Sequence, residues 1–127
     1  MIIKIQTQKT VEATADALQA AVAENGFGVM QIQNLRETME KKGVGFDREC
    51  LVFEVCQPKL AKKVLEGDMS LSTALPCRIS IYEEDGQTFM ATLKPTALMG
   101  MWQLPELNGV AQEVEETLLK IMKTAAA

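Results

Sequence analysis

Cys77-Arg78-Ile79-Ser80-Ile81-Tyr82-Glu83-Glu84-Asp85-Gly86-Gln87-Thr88-Phe89-Met90-Ala91-Thr92-Leu93 is the stretch on which the fold turns. Two runs of alternating, β-prone residues flank Glu84-Asp85-Gly86, the chemistry of a tight turn. Strands joined so briefly lie antiparallel. Two registers compete. A two-residue Asp85-Gly86 turn pairs Ile81 with Met90 and Ile79 with Thr92. A three-residue loop pairs Ile81 with Phe89, Ile79 with Ala91 and Cys77 with Leu93, and sets Gly86 where positive φ is needed. Keeping one face apolar favours the three-residue loop and turns Cys77 toward the core.

Upstream, Cys50–Cys56 is a clear strand, with Leu51, Phe53 and Val55 opposed to Cys50, Val52, Glu54 and Cys56. Gln57-Pro58 opens a helix whose stripe is Leu60, Ala61, Val64 and Leu65, closed by Gly67. Residues 2–6 read as a first strand. Thr10 caps a helix to about Asn25, and Gly26 stops it. Residues 27–33 fit a strand with an ambiguous face, and Asn34 with Glu37 caps a short helix before Lys41, Lys42 and Gly43. Downstream, residues 95–104 read as a Met-rich loop. Pro105 opens a last helix with the stripe Leu107, Val110, Ala111, Val114, Leu118 and Ile121, and Ala125–Ala127 should fray.

The elements run βαβαβαββα. The hairpin argues against a doubly wound parallel sheet. We expect one α+β domain over residues 1–127, core about 2–123. Its four- to five-stranded sheet is mixed or antiparallel, with helices mainly on one face. The exposed-parity positions, Met30 or Val29, Val52 and Met90, are not all polar, so a homodimer burying the other face is expected.

Composition narrows the function. Of 127 residues, 47% are apolar and 24% charged, as in an ordinary globular domain. Net charge is −4 and no Lys/Arg run exceeds two, so no nucleic-acid partner is expected. Six aromatics are too few for a single-strand stacking platform. No apolar run approaches the ~18 residues of a membrane span, so no membrane partner is expected either. The start, Met1-Ile2-Ile3-Lys4-Ile5, lacks the pattern of a signal peptide. Three cysteines without an export signal suggest reduced thiols and a cytoplasmic location. Histidine is absent, which removes the commonest general base and metal ligand together.

Three constellations bear chemistry. Cys56 and Cys77 stand at one strand's end and another's start, beside Pro58 and Pro76. If those ends are neighbours, they form a redox, sulfur-carrying or soft-metal pair, with Cys56 lowered in pKa by the following helix N-terminus. Equally, cysteine is a common core filler. Met99-Gly100-Met101-Trp102 combines thioethers suited to Cu(I) with an indole, or simply fills a gap or interface. Glu54 is a mid-strand carboxylate, a base at a closed face or a partner of Arg78 or Arg48. The Gly26-x-Gly28 and Gly43-x-Gly45 spacings fit neither a dinucleotide nor a P-loop motif, and no Gly-x-Ser-x-Gly elbow occurs.

Taken together, four segments resemble the prokaryotic family catalogued as domain of unknown function 302: Asn25-Gly26-Phe27-Gly28-Val29, Val55-Cys56-Gln57-Pro58-Lys59-Leu60-Ala61, Leu75-Pro76-Cys77-Arg78-Ile79 and Lys94-Pro95-Thr96-Ala97-Leu98-Met99. The resemblance spans about Thr7 to Met122. It implies a small α+β domain, often a dimer, without a settled activity. Cys56 and Cys77 are cysteines of the family type, and Cys50 stands outside that pattern. Two function classes follow. One is a homodimeric small-molecule-binding or sensing module, its pocket between the sheet and the Met99–Trp102 segment. The other is a thiol-dependent protein with Cys56 as nucleophile and Cys77 as resolving partner. No cofactor or metal site is assigned, and whether the chain is an enzyme is left open.

Overall fold

The computed structural model describes all 127 residues. Five strands, β1 (Ile2–Thr7), β2 (Gly28–Asn34), β3 (Cys50–Cys56), β4 (Cys77–Glu84) and β5 (Gln87–Leu93), form one sheet in the order β1-β5-β4-β3-β2. Every pairing is antiparallel. Between them run α1 (Val11–Glu24), α2 (Leu35–Lys41), α3 (Pro58–Gly67), α4 (Pro95–Gly100) and α5 (Asn108–Ala126), with short 3₁₀ turns at Met69–Ala74 and Pro105–Leu107. The expected α+β class and strand–helix order hold, with α4 as an addition.

Local chemistry sets the element ends. Thr10 Oγ1 accepts from Ala13 N at 3.1 Å and Asn34 Oδ1 from Glu37 N at 3.0 Å, each satisfying a helix donor that has no intrahelical partner. Gln57 Oε1 does the same for Leu60 N at 3.0 Å, with Pro58 as the first residue of α3. Gly26 follows α1 at φ +75, a conformation that costs a residue with a Cβ.

The hairpin adopts the two-residue turn, not the three-residue loop. Ile81 pairs with Met90, Tyr82 with Phe89 and Glu84 with Gln87. Asp85 at φ 53 and Gly86 at φ 76 supply the two left-handed residues of a primed turn. The argument for the other register assumed that a buried face rejects threonine. Here Thr88 and Thr92 are buried beside Met90. Thr92 Oγ1 donates to Arg78 O at 2.6 Å, so its hydroxyl enters the core satisfied. Cys77 still lies on the core side, in phase with Ile79 and Ile81.

The same shift moves Met90 inside, with no exposed surface, so it does not stand on the outer face as expected. Helices α1, α3 and α5 pack Leu18, Val22, Leu60, Val114, Leu118 and Ile121 against Phe53, Val55, Ile79, Ile81 and Met90. Each such side chain, fully buried, contributes about 1.5–3 kcal/mol. A bulge between Val29 and Gln31 explains the ambiguous face of β2. It lets Val29 oppose Val55 and Ile32 oppose Phe53, although their odd spacing breaks alternation.

Two further expectations fail. The Met-rich segment is not all loop, because Pro95 starts α4 and Thr96 N and Oγ1 both donate to Glu115 Oε1 of α5, at 3.2 and 2.6 Å. Nor does the C-terminus fray at Ala125 and Ala126. Ala125 is fully buried, Ala126 O accepts from Thr7 Oγ1 at 2.9 Å, and Ala125 O accepts from Lys9 Nζ at 2.9 Å.

Candidate functional site

The end of the sheet where β4 begins and β5 finishes is roofed by α4 and its following turn. Between them lies a groove of about 320 Å³. Its floor carries Cys77, Arg78, Thr92 and Leu93, and its walls carry Leu98, Met99, Met101 and Trp102 on one side and Thr73–Pro76 on the other. This is the place expected for a pocket, between the sheet and the Met99–Trp102 segment. Arg78 is the only charged residue in the lining. Leu93 and Met101 stand at its rim, 50% and 65% exposed.

The walls are tied together. Trp102 Nε1 donates to Ser70 Oγ at 2.8 Å, and Ser70 Oγ donates to Asp68 Oδ1 at 2.6 Å. Asp68 also accepts from Ser70 N at 2.8 Å, and these bonds hold its carboxyl below the usual range. The chain therefore links the 3₁₀ turn at Met69–Ala74 to the turn after α4. Below it, Val64, Leu71, Met99, Leu107 and Ala111 form a second apolar cluster that fixes both walls to α3 and α5.

Cys56 and Cys77 are neighbours across β3 and β4, where Val55 is the direct partner of Cys77. Both border a smaller apolar cavity of about 20 Å³, with Phe27, Leu60 and Val64, and Cys77 also borders the groove. All three thiols are free, and each is partly exposed. The expected lowering of Cys56 is not found. Burial pushes its thiol up, and α3's first free donors are taken by Gln57 rather than by sulfur. Cys77 is pushed up to about 11, chiefly by burial and further by the nearby Cys56. Both sulfurs therefore hold their protons at neutral pH, which makes them weak nucleophiles. Cys50 lies at the far end of β3, opposite Tyr82, and burial raises it too.

Met99 and Met101 do not converge on a metal. Two residues apart on a helical turn, they project in different directions, and Met99 is buried while Met101 is 65% exposed. No group of three or more acidic or thiol side chains is close enough to hold a metal ion. Glu54 is nearly buried on the helix-free face and pairs with Arg78 Nε across the ladder at 3.6 Å.

The model of the family described as "Domain of unknown function DUF302" matches residues 3–125. The chain belongs to the DUF302 family. A solved structure of an uncharacterized conserved DUF302 protein from Bacillus stearothermophilus is similar to it, with 28% identity, 99% of this chain and 98% of that one covered, and a TM-score of 0.93. No curated protein matches it significantly. No helix of this DUF302 chain is long and apolar enough to cross a membrane.

Sequence reasoning placed the DUF302 chain's pocket beside Met99–Trp102 but missed Ser70 and Asp68, which brace it. The spacing Asp68-x-Ser70 before an apolar residue was a local turn signal, whereas its contact with Trp102 spans 32 residues.

Proposed function

We propose that the chain is a small-molecule-binding module whose ligand occupies the groove under α4. The observation that carries this reading is the groove itself. It has the volume of a small-ligand site, a mainly apolar lining and two braced walls. Chemical-shift mapping with a library of small organic molecules tests it. Binders should perturb amides within 73–78, 92–93 and 98–102. Hits confined to other surfaces, or none, would sink the reading. The thiol alternative is weaker, because Cys56 and Cys77 both titrate above their ordinary range and no base adjoins them.

The helix-free sheet face supports a second part of the reading, pairing with another copy. Tyr82 and Phe89 stack there with centroids 5.8 Å apart, Lys4 Nζ lies 4.4 Å from the Phe89 centroid, and Val52 and Ala91 are not fully buried. Opposite charges, Lys4 with Glu84 and Arg78 with Glu54, border the apolar strip, as a self-complementary patch requires. Sedimentation equilibrium should give twice the mass of one chain. A Phe89→Lys variant should sediment as a monomer, and wild-type protein at monomer mass in the micromolar range would remove this part.

A further inference from the structure

Resting on the binding reading of the groove, we propose that its ligand is an uncharged, mainly apolar molecule of about ten heavy atoms, and that the groove discriminates against ions of either sign. Three observations carry the assignment. The first is size. A space of about 320 Å³ corresponds to about ten water molecules at their liquid volume. That suits a substituted ring or a small cage rather than a nucleotide.

The second is charge. The lining holds no Asp, Glu or Lys, and its one Arg is turned away. Successive side chains of a strand leave opposite faces of the sheet. Cys77 lies on the core side, so Arg78 stands on the helix-free face, where its Nε meets Glu54 Oε1 at 3.6 Å and the pair is neutral together. The Cys77 thiol, pushed up to about 11, keeps its proton at neutral pH. An ion entering the groove therefore sheds water and meets no opposite charge, a cost that an uncharged molecule escapes.

The third is the state of the remaining polar side chains. Thr73 Oγ1 donates to Ser70 O at 2.8 Å, Thr92 Oγ1 to Arg78 O at 2.6 Å and Trp102 Nε1 to Ser70 Oγ at 2.8 Å. The hydroxyl and indole hydrogens that an anion would require are thus engaged within the protein. Apolar surface is what stays unspent. Eight of the thirteen lining residues are hydrophobic, and Leu93 and Met101 keep half or more of their surface in water at the rim. An apolar body laid along them removes that surface from solvent, and the two thioethers of Met99 and Met101 adapt to its outline. The threonine oxygens retain lone pairs, so a single ligand hydroxyl is tolerated.

Trp102 is the only tryptophan and lines the groove, so its emission reports occupancy directly. Unaltered protein is titrated with adamantanol, adamantane carboxylate and adamantylammonium, each substituted at the bridgehead. A rigid cage is used because a flexible chain can leave a charged head group in water. The proposal expects a saturable emission change, with adamantanol at least tenfold tighter than either ion. Met101→Asp alters a position 65% exposed and sets a carboxylate at the rim, so it should bring adamantylammonium level with adamantanol or above it. Either ion binding to the unaltered protein within tenfold of adamantanol, with amide shifts at 73–78 and 98–102, overturns the uncharged assignment and leaves the groove reading standing. No saturable response to any of the three, or shifts confined to other residues, overturns the groove reading itself. An order of affinities that Met101→Asp leaves unchanged also overturns the groove reading, since the probes then sit elsewhere. The comparison on unaltered protein decides the matter even if Met101→Asp fails to fold.

Discussion

Deleting Ala125–Ala127 should destabilise the protein as a core mutation does. The Ala125 side chain is fully buried, and removing one such carbon costs about 0.8 kcal/mol. The deletion also removes the carbonyls that accept from Thr7 Oγ1 and Lys9 Nζ, both at 2.9 Å. Thr7 is only 5% exposed, so its hydroxyl keeps the bond it accepts from Lys9 N at 3.3 Å but its O–H is left without an acceptor, at a cost of about 1–3 kcal/mol. Lys9 returns to water and loses less. The sum is about 2–4 kcal/mol, which at this chain length lowers Tm by roughly 8–16 °C. Thermal unfolding followed by circular dichroism measures it, with two controls. Removing Ala127 alone, which is exposed, should shift Tm by less than about 2 °C. Thr7→Val should cost about 1 kcal/mol, since it removes the donor to Ala126 O and the acceptor of Lys9 N but strands no buried hydroxyl. A three-residue deletion that melts with the full chain would mean that the end of α5 is frayed after all, and the reasoning from these two bonds would fall.

Three more outcomes are expected. In a background where Cys50, Cys56 and Cys77 are replaced by alanine, Ser80→Cys with Ala91→Cys should oxidise to a disulfide and Ser80→Cys with Met90→Cys should not, because Ser80 faces Ala91 in the two-residue register; non-reducing peptide mapping distinguishes them. Cys77 ionises near 9.0 when unfolded and at about 11 when folded, so the unfolded chain gives up its proton first. Its contribution to stability is therefore complete below pH 9 and lost as pH rises toward 11, and Cys77→Ala should flatten urea midpoints measured across that window. Ser70→Ala removes the acceptor of the Trp102 indole, which should red-shift its emission and cost about 1 kcal/mol in urea unfolding; an unchanged spectrum would show that the brace is not formed in solution.

The sequence by itself determined whatever depends on neighbours along the chain. Thr10, Asn34 and Gln57 cap helices because a side-chain oxygen reaches a donor three residues on, and Gly26 and Gly86 sit where the backbone turns left-handed. Alternation over Cys50–Cys56 and the stripe of α5 were legible for the same reason. Only the tertiary structure decided what depends on distant partners. The hairpin register rested on whether buried threonines find acceptors, which Thr92 does in Arg78 O. Ala125 is ordered by Thr7 and Lys9 at the other end of the chain, which no local pattern records. The proximity of Cys56 to an ordinary helix start implied an acidic thiol, yet burial beside Leu60 and Val64 and a cap already filled by Gln57 turn it the other way. The groove is the same lesson at larger scale: Trp102 and Arg78 were visible as residues, but their shared cavity exists because Ser70, Glu115 and the second apolar cluster hold α4 above the sheet.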